Sequence, residues 1–213
     1  MRVLVFCDDL YHPAATVRTG LAPLAAAGFT FDWIENAAGW DPSRLSSYPV
    51  VLLSKSNVCS AADKTPWLAG PTVDALGAFV RAGGGLVAVH SGTASYKDVA
   101  PVRAVLGGVF LSHPPQCEVT LEPRLGHPLT AGVAGPFTVV DEPYQMAVDD
   151  PGVDLFLHAR SIHGVQPAGW TRGEGQGRVC VLTPGHNAAV WLHPSFQRLL
   201  ANALPWVAQG RAS

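Results

Sequence analysis

Short runs of apolar residues alternate with helix-forming segments along the first half of the chain. These runs predict four buried strands, at residues 2–7, 29–34, 50–53 and 86–89. Between the first two, residues 14–27 are rich in Ala and Leu and stop at Gly28, as helices commonly do. Apolar residues at helical spacing over 73–80 predict a second helix. This order predicts an α/β fold, a doubly wound, mostly parallel sheet flanked by helices, with its ligand site at the carboxyl ends of the strands.

The second half of the chain has a less regular pattern, with Gly-Pro-rich turns between short apolar segments. We predict a helix at 99–106, strands around 109, 119, 138–140, 153–157 and 178–182, and a C-terminal helix at 194–207. Small and polar residues dominate 54–71, which we interpret as a long loop that caps the sheet. Because no repeat or long linker divides the chain, we expect one domain over residues 1–213.

Composition narrows the range of partners. Hydrophobic residues make up 48% of the chain and charged residues 14%, which fits a sheet covered on both faces. The formal net charge is -2, from 14 Lys and Arg against 16 Asp and Glu, and there is no basic run. Nothing in this pattern would neutralise a phosphate backbone, so no nucleic-acid partner is expected. The apolar composition is compatible with a homo-oligomer.

Location is predicted from three absences in the sequence. No apolar run approaches the roughly 20 residues that a membrane helix needs, so no membrane association is expected. The first strand is short and leads into two aspartates, unlike a signal peptide. The four cysteines are scattered without CxxC spacing, which disfavours a disulfide framework and a thiolate zinc site. We therefore expect a cytoplasmic protein.

The turn after the fourth predicted strand is the most informative local feature, with the sequence GGLVAVHSG over 84–92. A buried strand that enters a tight turn of small residues holds the central side chain above the sheet. His90 occupies the position at which a class I glutamine amidotransferase carries its nucleophilic cysteine. Three interpretations stay open. His90 is a general acid or base or a ligand-orienting group, Ser91 is a nucleophile in a shifted turn, or His90 makes only a structural hydrogen bond.

Further motifs follow in a specific joint order, although none is decisive alone. They are GGGLVAVHSG (83–92), LGGVFLSHP (106–114), GHPLTAG (126–132), DEPYQM (141–146), PAGWTRGEGQGRVCVLTPGHN (167–187) and WLHPSFQRLLANALPW (191–206). On these motifs, from roughly residue 50 to 207, the chain resembles the ThuA-like (trehalose-utilisation) family. The resemblance implies a flavodoxin-like, class I glutamine amidotransferase-like fold. The usual cysteine is absent, because none of the four cysteines lies at the His90 turn.

The resemblance also implies functional positions, which are His90, His113, Glu142 and His186, and it implies a structural role for His127 in a His-Pro turn. In the amidotransferase fold the triad histidine follows a late strand, where His186 stands. An imidazole suits proton transfer near neutral pH because its ordinary pKa is about 6.5. The expected catalytic residues are His90, His186 and Glu142. The expected substrate-binding residues are His12, which follows the first strand, together with His113 and Tyr144.

A metal site is an alternative use of the same residues. Histidines and a carboxylate around one point can bind zinc or another divalent ion. The sequence has no HExxH or other tight ligand spacing, so such ligands would converge from distant strands. No nucleotide cofactor is expected.

Two functions follow from the histidines at predicted strand ends taken together with what the family resemblance implies. The first is an enzyme of isomerase or hydrolase type that acts on a small carbohydrate, a disaccharide or keto-sugar, by His/Glu acid-base chemistry without a cysteine nucleophile. The alternative assumes that a chain without the nucleophilic cysteine is not catalytic. It is a non-catalytic module, on an amidotransferase-like fold, for binding a sugar or metabolite or for assembly.

Overall fold

The computed structural model describes residues 1–210, which form eleven strands and five α-helices. The strands are β1 Arg2–Phe6, β2 Thr30–Ile34, β3 Val50–Leu53, β4 Gly85–Val89, β5 Gly108–Ser112, β6 Cys117–Pro123, β7 Phe137–Asp141, β8 Gln145–Val148, β9 Asp154–Ser161, β10 Gly164–Glu174 and β11 Gly177–Leu182. The helices are α1 Ala14–Ala26, α2 Ala75–Arg81, α3 Ala100–Leu106, α4 Ala188–Leu192 and α5 Pro194–Ala208.

Nine strands form one mixed sheet in the order β2-β1-β3-β4-β11-β10-β9-β6-β7. The first five are parallel to one another, and the last four continue the sheet by antiparallel pairing. Because the direction reverses at each of the four antiparallel steps, β7 again runs in the direction of β11. The carboxyl ends of β1, β3, β4, β11 and β7 therefore lie along the same edge of the sheet.

Both faces of the parallel part of the sheet are buried. Side chains of a strand alternate between its faces, so Val3 and Val5 contribute to one core while Leu4 and Phe6 contribute to the other. Helices α1, α4 and α5 pack into the first core, and α2 and α3 into the second. This two-sided burial explains why the parallel strands have continuous apolar sequences, and it confirms the predicted doubly wound α/β class.

The helix ends follow from local chemistry. Helix α3 ends at Gly107, whose φ of 72° lies in the left-handed region that glycine adopts readily. Helix α5 begins with Pro194, and the backbone N–H of Ser195 donates to Nδ1 of His193, 3.2 Å away. Proline suits this first position because it lacks an N–H that the helix would leave unpaired.

The second half differs from its sequence-based prediction in four elements. The strand around residue 109 lies outside the main sheet, where β5 pairs with β8 in a separate two-stranded ribbon. Strands β8 and β10 and the short helix α4 had no clear pattern in the sequence. Strand β10 contains Pro167 and Gly169, which usually interrupt strands, and its pairing with β9 shifts register between them.

The segment between β3 and α2 contains no strand or α-helix, as predicted for residues 54–71. It is more than a polar cap, however, because Trp67 and Leu68 are buried in the second core. Over residues 1–210, no helix combines the length and the apolar character that crossing a membrane requires.

Candidate active site

Side chains from four strand ends meet at the shared carboxyl edge of the sheet. His12 lies in the loop after β1, His90 directly follows β4, and His186 lies in the turn after β11. Glu142 directly follows β7. One potential ligand atom from each of these four residues lies within 4.8 Å of the others. Residues up to 174 positions apart in sequence, His12 and His186, are thus brought together because their strands end at one edge.

The His90 turn is tight and strained. The φ angle of His90 is 47°, in the left-handed region that few non-glycine residues adopt. A Cβ on Gly92 would lie 2.0 Å from the carbonyl oxygen of Leu53, so the close approach of the turn to β3 requires glycine. His90 is only 1% exposed, and its Nδ1–H donates to the carbonyl oxygen of Thr183 at 2.8 Å. Because a carbonyl only accepts, the neutral ring presents a lone pair at Nε2.

His12 is oriented by Asp9, whose side chain is buried. The Asp9 carboxylate accepts the Nδ1–H of His12 at 2.7 Å. It also accepts the backbone N–H groups of Tyr11, His12 and Ser56 at 3.0, 3.0 and 2.9 Å. Burial opposes ionisation of Asp9, but the bond from His12 and the backbone bonds outweigh it and hold its pKa well below the ordinary value. Asp9 is therefore a buried anion that positions the first histidine.

His186 is positioned by a second buried carboxylate. Asp141 accepts the backbone N–H groups of Gly185 and His186 at 2.8 and 3.0 Å. Burial raises the pKa of Asp141, although His90 and these bonds act in the opposite direction. For His186, burial lowers the pKa below its ordinary value, and this effect exceeds the opposing attraction of Glu142. Its imidazole is accordingly neutral at physiological pH.

Glu142 stands at the centre of the imidazoles. Its Oε2 lies 3.2 Å from His186 Nδ1, 3.5 Å from His90 Nε2 and 3.7 Å from His113 Nε2. Burial opposes ionisation, but contact with His90, His186 and His113 lowers the pKa of Glu142 below its ordinary value. The carboxylate is therefore ionised at neutral pH and forms the anionic centre of the cluster.

An aromatic wall borders the cluster. Tyr144 stacks on His90 with ring centroids 4.1 Å apart, and Phe110 of β5 packs against Tyr144 at 4.2 Å. Burial raises the pKa of Tyr144, so its hydroxyl stays protonated. His113 lies on the same ribbon at 5.8 Å from the Tyr144 ring.

A cavity of about 560 Å³ opens onto this cluster. Its lining residues include His12, His113, Glu142, Tyr144 and His186 together with apolar side chains such as Leu10, Val58 and Phe110. His90 and Ser91 are not lining residues, and both are buried. The burial of Ser91 disfavours its interpretation as a nucleophile.

Backbone strain is concentrated around the cavity. Within residues 1–210, the non-glycine residues with positive φ are Asp8 at 74°, His90 at 47° and Ser95 at 64°. Asp8 adjoins Asp9, and Ser95 lines the cavity. Such conformations persist only where surrounding structure enforces them, and they are frequent at functional sites.

A buried lysine ties the strand ends together beneath the site. Lys55 is fully buried, and its Nζ donates to the carbonyl oxygens of Cys7 and Glu35 at 3.2 and 2.9 Å. A third bond goes to the carbonyl oxygen of Asp8. Burial lowers the pKa of Lys55, against the attraction of Asp8 and Asp9. The residue joins the carboxyl ends of β1, β2 and β3, and so holds the loop that carries His12.

All six site residues expected from the sequence lie at this edge. Five of them line the cavity, and His90 lies behind them. His127 lies elsewhere, where its Nδ1 accepts the backbone N–H of Leu129, in keeping with a structural role. Sequence reasoning missed Asp9, Asp141 and Lys55. The available signal was their position, since each of these ionisable residues stands at or within three residues of the end of a strand.

The arrangement defines a class of protein. It is an α/β protein of mostly parallel, mixed sheet, with a cluster of imidazoles at the carboxyl edge and a histidine at the β4 turn. The four cysteines are all free, and burial raises the pKa of Cys7 to about 12, which makes its thiol unreactive. The ThuA family model, described as trehalose utilisation, matches residues 2–207, and the chain belongs to this family.

Solved structures share this fold at low sequence identity. A ThuA-like protein from Parabacteroides merdae ATCC 43184 superposes with a TM-score of 0.77 at 20% identity, over 100% of this chain and 91% of that one. One from Bacteroides uniformis ATCC 8492 gives 0.75 at 20% identity, over 97% and 91%. The cold-adapted beta-galactosidase from Rahnella sp. R3 gives 0.68 at 18% identity, over 93% of this chain and 30% of that one. No curated protein matches the sequence significantly.

Proposed function

We propose that the chain is an enzyme that acts on a small carbohydrate by acid-base chemistry in this cavity. The observation that carries the proposal is the position of Glu142, whose Oε2 lies within 3.7 Å of imidazole nitrogens of His90, His113 and His186. A carboxylate among imidazoles can exchange protons with them. Moving a proton between two positions of a sugar, or activating water against it, requires such a set of groups.

His113 is the imidazole best placed to meet the substrate. Its side chain is 37% exposed, compared with 1% for His90 and 20% for His186. The Nδ1–H of His113 donates to the carbonyl oxygen of Pro114 at 2.9 Å, so its Nε2 is the basic nitrogen. That nitrogen faces Glu142 and would accept a proton from a substrate hydroxyl or C–H group in the cavity.

The carbohydrate class is supported by the size and lining of the cavity. A volume of about 560 Å³ accommodates a small ligand. Phe110 and Tyr144 offer apolar ring surface to the C–H face of a sugar, while imidazoles and Glu142 offer hydrogen-bond partners to its hydroxyls. The trehalose-utilisation description of the family agrees with this class.

The test is an incubation of the protein with a panel of disaccharides and their 3-keto derivatives, followed by NMR. We expect new product resonances with the wild-type protein. Glu142→Gln preserves shape but removes the charge, and should lower turnover by roughly 10²- to 10⁴-fold. Glu122→Gln is the matched control, because Glu122 pairs with Arg160 on the far strands of the sheet and should keep full turnover.

Two outcomes would contradict the proposal. Unchanged turnover in Glu142→Gln would show that the carboxylate takes no part in the chemistry. Line broadening of a sugar without any new resonance would favour the alternative, a non-catalytic binding module on the same fold.

A further inference from the structure

Three ring nitrogens in the cluster have no hydrogen-bond partner although they are buried. They are His12 Nε2, His90 Nε2 and His186 Nδ1. The Glu142 carboxylate lies near the last two, at 3.5 and 3.2 Å, without completing a hydrogen bond to either. Nearly all buried polar atoms in proteins have a hydrogen-bond partner, so three unpaired nitrogens around one point indicate a missing partner.

The opposite nitrogens of two of these rings determine what that partner is. The Nδ1–H of His12 donates to Asp9 and that of His90 to the carbonyl oxygen of Thr183. Both rings therefore present a lone pair at Nε2. Histidines that bind metal ions are oriented in this way, with the non-ligating N–H held by a carboxylate or a backbone carbonyl.

The electrostatic surroundings also favour a cation. The carboxyl groups of Asp9 and Glu142 lie at the edge of the cluster, 2.7 Å from His12 Nδ1 and 3.2 Å from His186 Nδ1. In the part of the chain that the structure describes, their ion-pair partners are imidazoles only. Lys55 is occupied by backbone carbonyls. Two acidic side chains therefore border the cluster without an ion pair to a lysine or an arginine of the described residues.

We infer that His12, His90, His186 and Glu142 bind one divalent transition-metal ion of the zinc class. One ligand atom from each lies within 4.8 Å of the others, which is compatible with a common centre. Imidazole nitrogen with a single carboxylate suits zinc and its first-row neighbours rather than calcium or magnesium, which prefer all-oxygen sites.

The inference also explains the burial of His90. This residue does not line the cavity, so its Nε2 meets no substrate directly, but it can ligate an ion held between it and the cavity. His113 lies outside the ligand set and stays available for proton transfer. A bound ion would supply Lewis-acid polarisation of a substrate oxygen. That catalytic use rests on the proposed function, whereas binding of the ion is measurable without any substrate.

The test is metal analysis of full-length protein purified without chelator, followed by calorimetric titration of chelator-treated protein with zinc and with cobalt(II). We expect about one ion per chain and a cobalt(II) absorption spectrum typical of nitrogen and oxygen ligands. His186→Gln and Glu142→Gln should each weaken zinc binding by more than about 100-fold, beyond the loss from changes in ligand-orienting groups. His163→Gln should bind like the wild type, since His163 does not belong to the ligand set.

The inference is overturned if the wild-type protein binds neither ion at millimolar concentration, or if the two ligand variants bind zinc as tightly as His163→Gln. Circular dichroism of each variant separates lost ligation from lost folding, and the wild-type stoichiometry and cobalt spectrum decide the matter if a variant fails to fold. Turnover of a sugar by chelator-treated, ion-free protein would refute the catalytic use of the ion and leave the proposed function standing. Tight zinc binding without turnover of any sugar in the panel would leave the ion site standing and contradict the proposed function.

Discussion

At the scale of single residues, two buried carboxylates organise the site without lining its cavity. Asp9 accepts four hydrogen bonds, one of them from the His12 ring. Asp141 accepts two backbone N–H groups and so sets the turn that carries His186. Both side chains are buried, and the bonds to the ionised Asp9 are about twice as strong as bonds to a neutral group. The histidines are therefore held rigidly although they lie in loops.

The role of Asp9 predicts a defect in ion binding rather than in folding. Asp9→Asn removes the charge that holds the Nδ1–H of His12, while an amide oxygen can still accept backbone N–H groups. Zinc affinity, measured by calorimetry, should fall by roughly 10- to 100-fold. Asp63→Asn is the control, because the Asp63 carboxylate accepts the exposed backbone N–H of Thr65 and orients no histidine. Equal zinc affinity in the two variants would contradict this role for Asp9.

At the scale of elements, His127 links the turn after β6 to the start of β9, at the edge of the sheet opposite the candidate site. Its Nδ1 accepts the N–H of Leu129, its Nε2 lies 3.3 Å from Asp154 Oδ2 at the start of β9, and its ring stacks on Phe156 at 4.8 Å. These contacts require a neutral ring that is protonated at Nε2. Burial lowers the pKa of His127, more than the attraction of Asp154 raises it.

A lowered histidine pKa gives a definite sign to the pH dependence of stability. The unfolded chain takes up the proton near pH 6.5, above the pKa of the folded state, so the stabilisation is complete above about pH 6.5. It is lost as the pH falls from there through the folded-state pKa. His127→Asn keeps an acceptor for the N–H of Leu129, and its free energy of unfolding should be about 1 kcal/mol lower than that of the wild type at pH 7. Between pH 7 and 5 the free energy of unfolding of this variant should also fall less steeply than that of the wild type.

The measurement is urea denaturation at several pH values. His163→Asn serves as the control, because His163 is exposed in the β9–β10 hairpin and should leave the wild-type pH dependence unchanged. A wild-type slope that persists in His127→Asn would exclude His127 as its source.

At the scale of the whole molecule, the site joins both halves of the chain. The four ligand residues follow β1, β4, β7 and β11, so the ion site can form only when the sheet is complete. Binding at 100 times the Kd should stabilise the folded state by about 2.7 kcal/mol. For a chain of this size, that corresponds to a rise in Tm of roughly 5 to 10 °C.

Thermal unfolding of chelator-treated protein with and without zinc measures this rise. His186→Gln is the control and should show little or no increase. A wild-type Tm that is the same with and without zinc would contradict the linkage between the ion and the sheet.

Much of the parallel half could be predicted because its signals are local. Strands β1, β3 and β4 are buried on both faces, which leaves continuous apolar runs, and α1 ends two residues before Gly28. The antiparallel half carries weaker signals. Strand β7 alternates buried and exposed residues over only five positions, and β10 contains proline and several glycines. The pairing of the antiparallel strands depends on contacts with neighbouring strands rather than on the sequence of each strand alone.

The candidate site could likewise be predicted only in part from the sequence. Which histidines stand at strand ends is a local property, readable from an apolar run followed by His90 or by the turn that holds His186. Which nitrogen of each ring faces the centre depends on partners far away in the chain, such as Thr183 for His90. The same holds for the convergence of Glu142 with three imidazoles, because β7 reaches the edge only through four antiparallel steps. Chain pattern specifies the elements, and only the packed sheet brings their ends to one point.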